Sequence, residues 1–331
     1  MNILFLLNDT TQDDEFRYVQ NLLTHIQDDD MDMKVAFLAG GAPADLAYQL
    51  LKDRVVNRLS FKGDKGNLMK SLANHLDNHD VDVVVTGRAM FGQHKLLDAV
   101  DKSAKKPRVV FVGHDCSPVV TEHAQILAAI KPRYVAVSKL VAETFMKPFA
   151  PNVIYGAAVM PQASNTNIRA MYGVSKNTRL FGYIGNLDLI DTDMLVEAVK
   201  RMNGALFVCG TGQKLSVLSQ VKGPIKVMPI MPEARADWYH AFDCFLYPVK
   251  RAGFPSLPLE AILCGTPVAM APVSDFYSLF GNNISFHSWT TAKMVDAADR
   301  ARTIEWQRTA ALVEETFSVE RLVSGWFSIL G

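Results

Sequence analysis

Short, continuously apolar segments, each bounded by turn residues, alternate along this chain with stretches of helical length. A strand that is apolar at every position, not at every second one, must be covered on both faces. Such strands alternating with helices give a parallel sheet with helices on either side. In the first half the strand candidates are Asn2–Leu7, Lys34–Ala39, Val81–Thr86, Arg108–Val112, Tyr134–Val137 and Asn152–Tyr155, with helical segments between them such as Asp14–Ile26, Asn67–Leu76 and Val120–Ile130. The polar stretch Pro161–Asn167 breaks the pattern and reads as a linker. The alternation then restarts. Its strands are Leu180–Ile184, Ala205–Val208, Ile225–Val227, Cys244–Tyr247 and Pro267–Met270, and its helices Asp193–Met202, Lys214–Gln220, Ala234–Ala241 and Leu257–Cys264. Two α/β domains with doubly wound parallel sheets follow, 1–160 and 161–312. The closing segment 313–331 holds one amphipathic helical pattern, Val313–Leu330, expected to pack back on the N-terminal domain. Ligands of such sheets bind outside the carboxyl ends of the strands, so a central cleft faced by both domains is the expected site.

Composition narrows the function. The 331 residues are 49% hydrophobic, which is ample for two cores. Lys plus Arg and Asp plus Glu both number 34, so no general field draws the chain to nucleic acid or to an anionic membrane. The four cysteines lack paired spacing, against a disulfide framework or a zinc site. No apolar run approaches the ~20 residues of a membrane span. The run at Met1–Asp9 has neither a basic leader nor a small-residue cleavage site, and a cytoplasmic protein is expected.

The segment Tyr247–Ala269 is the most informative. A strand ends at Pro248, a loop holds Gly253 and Ser256, and a helix is expected to open at Pro258 and end at Gly265. The N–H groups and positive dipole end of that helix suit a diphosphate. Glu260 in its first turn has two readings, a partner of the helix dipole or a ligand-binding carboxylate. Lys250 and Arg251 on the preceding loop are either phosphate contacts or a solvated pair.

Ala252-Gly253-Phe254-Pro255, then Glu260-Ala261, then Gly265-Thr266-Pro267-Val268 resembles the signature of retaining GT-B glycosyltransferases, family 4 in particular: Glu-Gly-Phe-Gly, Glu-Ala and Gly-x-Pro-Val at the same spacings. The resemblance implies two Rossmann-like domains around a cleft, and transfer of a sugar from a nucleotide-diphosphate donor to an unidentified acceptor with retention. The nucleotide sugar is then a co-substrate, and neither a further cofactor nor a metal is implied. It implies that Glu260 accepts from the donor ribose, with Gly253, Ser256 and Leu257 beside it. The departures matter equally. Ala252 stands where the family's first Glu contacts the sugar, and Pro255 removes a backbone N–H.

Leu180–Leu187 resembles the family's Val-Gly-Arg-Leu, which places Gly185 and Asn186 at the donor. Asn186 replaces the family's Arg, and about Asp191 replaces its Lys, both of which hold the pyrophosphate. Lys250 and Arg251 are the candidate substitutes. Gly210-Thr211-Gly212 resembles the family's Val-Gly-x-Gly turn. Met231 falls in the segment that holds the nucleobase, or simply ends a core strand. His114 matches a family histidine near donor sugar and acceptor, the alternative being a structural histidine. On the acceptor side Asp115 and Arg88 join it. Asp9 either meets acceptor hydroxyls or caps a helix. Two further readings stand beside the enzyme. One is a GT-B protein that has lost catalysis and serves as a binding or stabilising partner, as Ala252, Asn186 and Asp191 suggest. The other is an enzyme acting on a nucleic acid base, which the neutral charge does not support.

Overall fold

The computed structural model describes residues 1–7, 14–26, 28, 30–37, 65–87, 92–114, 131–144, 146–228, 234–249, 252–271 and 289–331. The chain divides into two compact units, Met1–Gly156 together with Val319–Gly331, and Ala157–Ser318.

The first unit is a parallel sheet of β1 (Asn2–Leu7), β2 (Asp32–Phe37), β3 (Val83–Thr86), β4 (Arg108–Gly113), β5 (Arg133–Ala136) and β6 (Asn152–Val153), in the order β2-β1-β3-β4-β5-β6. Every pairing is parallel. Ile3 to Leu7 are all buried, as a central strand covered on both faces requires. On one face Leu4, Leu6 and Val84 pack with Leu72 and Leu76 of the Lys65–Asn78 helix and Ala99 of the Gly92–Lys102 helix.

The second unit repeats the plan with β7 (Leu180–Asn186), β8 (Ala205–Thr211), β9 (Ile225–Met228), β10 (Cys244–Tyr247) and β11 (Val268–Met270), ordered β11-β10-β7-β8-β9 and again parallel throughout. Gly182 in β7 is fixed by packing. A Cβ there would collide with the Phe242 ring, so no larger residue fits without moving it. The Pro161–Asn167 stretch is tied to this unit. The Asp237 carboxylate accepts from the Ser164 hydroxyl and from the N–H groups of Ser164, Asn165 and Thr166, and these bonds hold it below its ordinary pKa.

The closing amphipathic pattern is two helices instead of one, Trp306–Thr316 and Val319–Leu330. The break falls at Phe317, whose ring packs edge-on against Phe254 at 5.6 Å and whose carbonyl accepts from Ala158 N at 2.8 Å. Period alone cannot reveal a backbone carbonyl diverted to a partner outside the helix. The last helix belongs to the first unit. Trp326, fully buried, donates from Nε1 to the Tyr18 hydroxyl at 2.9 Å and packs on Phe5. Arg108 donates to the Leu330 carbonyl and Arg133 to that of Ile329, which satisfies acceptors that a helix C-terminus leaves unpaired.

Candidate functional site

Within the second unit the loop at the carboxyl end of β7 meets the start of the Ser256–Leu263 helix, and it touches the loop after β8 and the end of β10. At Gly185, φ is +145°, and a Cβ would lie 2.8 Å from the Tyr183 hydroxyl and 3.2 Å from Leu257 Cδ1. The β7 loop is therefore seated on the helix start. Gly185 pairs with Gly210 across β7 and β8, and a Cβ at Gly210 would strike the Gly185 carbonyl. At Gly212, φ is +126°, and a Cβ would lie 3.0 Å from Asn186 Oδ1. The loop's far end forms an isolated antiparallel bridge, Ile190 to Val249. Glycines at 185, 210 and 212 thus bring the β7 and β8 loops together, and the Ile190–Val249 bridge ties the β7 loop to the end of β10.

Side chains hold this loop in shape. Asn186 Oδ1 accepts from Asp188 N at 2.9 Å, and Asp191 Oδ1 accepts from Met194 N at 3.0 Å, capping the Thr192–Arg201 helix. Asp188 accepts from the N–H groups of Gln213 and Lys214. Lys214 Nζ donates to the Ile190 carbonyl at 2.6 Å.

The Ser256–Leu263 helix begins two residues before the expected Pro258, which occupies its third position. Proline is tolerated there because the first turn's N–H groups have no partner within the helix. The consequence is fewer free N–H groups at the helix start. Pro255 and Pro258 carry no N–H, and Ser256 N donates to Phe254 O at 3.0 Å, which leaves Leu257 N–H at the helix start. At the other end Gly265 N bonds Ile262 O and Thr266 N bonds Ala261 O, the paired pattern of a left-handed glycine terminus, with φ at Gly265 of +72°.

Glu260 is buried, and its first partner is an arginine. Arg235 Nε donates to Oε2 at 2.7 Å and Nη2 to Oε1 at 2.9 Å, while the Tyr239 hydroxyl donates to Oε2 at 3.2 Å. A carboxylate gripped by both oxygens has its plane fixed.

In the first unit His114 follows β4 and is buried edge-on against Tyr18, with ring centroids 5.2 Å apart. Beside it Glu15, Thr86, Gly87 and Trp326 line a pocket of ≈ 10 Å³. That space admits about one water. A Cβ at Gly87 would collide with Glu15 Oε1 and lie 2.8 Å from His114 Cδ2, so a carboxylate and an imidazole converge on one glycine.

Residues 178–302 match the family described as "Glycosyl transferases group 1". TuaC of Bacillus subtilis, named as a teichuronic acid biosynthesis glycosyltransferase, is 29% identical over 126 residues, 37% of this chain and 32% of TuaC. The chain spans about a third of the length of the curated relatives it matches. Among solved structures, HepE of Anabaena in complex with UDP and glucose superposes with TM-score 0.80 at 17% identity, over 100% of this chain and 99% of that one. Sucrose-phosphate synthase of Thermosynechococcus elongatus superposes with TM-score 0.73 at 13% identity, over 100% and 98%. The fold is GT-B.

On this GT-B fold Gly185, Asn186, Gly253, Ser256, Leu257 and Glu260 all lie in the second unit, with Gly185 against Leu257. Gly253 and Ala252 are buried in the turn before the helix. His114 lies in the first unit. Asp9, Arg88, Asp115, Met231, Lys250 and Arg251 lie outside the described residues, as does the segment Val120–Ile130 expected to be helical. Sequence reasoning missed Lys214, Arg235, Tyr239, Asp188 and Glu15. Lys214 had a local signal, two residues beyond the Gly210-x-Gly212 turn. Arg235 had none, because its 25-residue separation from Glu260 is a product of the tertiary fold. Among the described residues no helix is long and apolar enough to cross a membrane.

Proposed function

We propose that this chain is a glycosyltransferase whose second unit holds a nucleotide-diphosphate sugar and passes the sugar to an acceptor. The observation that carries the reading is a coincidence of place. The segment matching the glycosyltransferase family, 178–302, contains the β7 loop and the three partners it touches: the β8 loop, the end of β10 and the start of the Ser256–Leu263 helix. Binding outside the carboxyl ends of parallel strands is what this sheet type favours, and HepE, solved with UDP and glucose, supports a nucleotide sugar as the ligand class.

Within that reading Glu260 accepts from the donor ribose, its carboxylate aimed by Arg235. His114 belongs to the reacting end. The resemblance to family 4 further supports retention of configuration. The protein's contribution is then orientation of the donor and electrostatic support of the departing diphosphate.

The test is incubation with a panel of UDP-, GDP-, ADP- and dTDP-sugars, with release of nucleoside diphosphate followed and the product anomer assigned by NMR. Turnover with an α-linked product from an α-linked donor is expected. A wild-type protein that binds no nucleoside diphosphate would sink the proposal. Binding without turnover on any acceptor class would keep the donor site and remove the transfer.

A further inference from the structure

A diphosphate brings at least two negative charges, and the β7 loop, Asn186 to Asp191, offers no positive charge to meet them. Asn186 and Asp191, where the resemblance leads one to expect cations, are both acceptors occupied in capping, and Asp188 adds a further carboxylate. The Ser256–Leu263 helix supplies about half a unit of positive charge at most, and only Leu257 N–H remains at its start.

We propose that Lys214, on the β8 loop, supplies the cation for the donor diphosphate, its ammonium held over the β7 loop where the expected lysine is missing. The geometry is specific. Lys214 Nζ lies 2.6 Å from the carbonyl of Ile190, the residue immediately before Asp191. The reach is built into the backbone. Asp188 Oδ1 accepts from Lys214 N at 3.2 Å and Oδ2 from Gln213 N at 3.1 Å, while Gly212 is packed against Asn186 and Asp188. The two loops are thus clamped together, and the side chain crosses from one to the other. An ammonium has three donors and no acceptor. The Ile190 carbonyl takes one, and among the described residues Lys214 forms no ion pair. The loop beneath it touches the helix start at one end, through Gly185 and Leu257, and Val249 at the other. The charge is moved from one strand-end loop to its neighbour.

The inference rests on the proposed donor site and is tested separately from it. Binding of UDP, GDP, ADP and dTDP and of the four bare nucleosides is measured by calorimetry for the wild type, Lys214→Met, Lys214→Ala and Lys214→Arg. Loss of a charge-assisted phosphate contact is expected to weaken the preferred nucleoside diphosphate by about 10- to 100-fold in the Met and Ala variants. The nucleoside should change by less than about twofold, and Arg should retain most of the affinity. Equal losses for diphosphate and nucleoside would overturn the inference, by reducing Lys214 to a structural tie between loops. So would unchanged diphosphate binding in a folded Lys214→Met variant. A wild type that binds none of the four diphosphates would overturn the donor reading itself.

Discussion

Arg235 closes Nε and Nη2 onto the two carboxylate oxygens of Glu260, in a pair whose carboxylate side chain is only 8% exposed. A buried pair of this kind is costly to break from one side, because the survivor keeps its charge without its partner. Arg235→Met is therefore expected to lower the unfolding free energy by about 3–5 kcal/mol. The double variant Arg235→Met with Glu260→Leu should recover much of that loss. Urea unfolding checks both. A single-variant loss near zero would mean the pair is opened in solution.

Gly265 carries a different load. Its φ of +72° closes the Ser256–Leu263 helix, and no atom beyond its own chain neighbours lies within 4 Å of where a Cβ would stand. Crowding is therefore absent, and the cost of Gly265→Ala is backbone strain alone, about 1–2 kcal/mol. Gly265→Asn should cost less, because asparagine tolerates the left-handed region better. Equal losses for the two variants would point to a contact outside the helix terminus.

The architecture was legible because short continuous apolar runs such as Ile3–Leu7 and Leu180–Ile184, bounded by turn residues and alternating with helical patterns, fit a parallel sheet covered on both faces. The glycines that end β7 and the Ser256–Leu263 helix were legible for a related reason. Gly185 and Gly265 need backbone conformations that other residues adopt at a cost, so they mark the chain at fixed offsets from strand and helix. What could not be read was partnership. Nothing local to Glu260 announces Arg235, nothing local to Phe317 announces Ala158, and nothing local to His114 announces Glu15. Each pair is joined only after the sheet has brought distant segments together. The same holds for Asn186 and Asp191. Their sequence positions suggested missing cations, while their positive role, capping the loop and the next helix, depends on backbone geometry.

Cys244 gives the protein a predictable alkaline limit. Burial raises its thiol from its ordinary 9.0 to about 12, and it is fully buried at the start of β10. Between these values the unfolded chain has lost the proton that the folded chain retains, so unfolding releases a proton. The contribution is complete below pH 9 and is lost as pH rises toward 12, at about 1.4 kcal/mol per pH unit. Cys244→Ala should flatten the wild-type decline by that slope above pH 9 and leave the dependence below pH 9 unchanged. Urea unfolding from pH 7 to about pH 10.5 measures it. Parallel profiles for the two proteins would show that the thiol ionises in place.

Gly185→Ala tests whether the loop at the end of β7 serves the donor. A methyl at this position would lie 2.8 Å from the Tyr183 hydroxyl, which donates to Asn186 O at 2.9 Å, and 3.2 Å from Leu257 Cδ1. Something must move: the hydroxyl that closes the loop, the leucine at the helix start, or the strained backbone itself at φ +145°. Any of these shifts the loop relative to the helix. A stability loss of about 1–3 kcal/mol is expected. Nucleoside diphosphate affinity should fall with it, since a small displacement of converging donors weakens all of them together. The companion variant Leu257→Ala separates the two effects. It makes room for the methyl without touching the Tyr183 bond, so the double variant should regain binding if the helix start was what moved. If Gly185→Ala binds the diphosphate as the wild type does while losing stability, the β7 loop supports the fold and the donor lies elsewhere on the sheet edge.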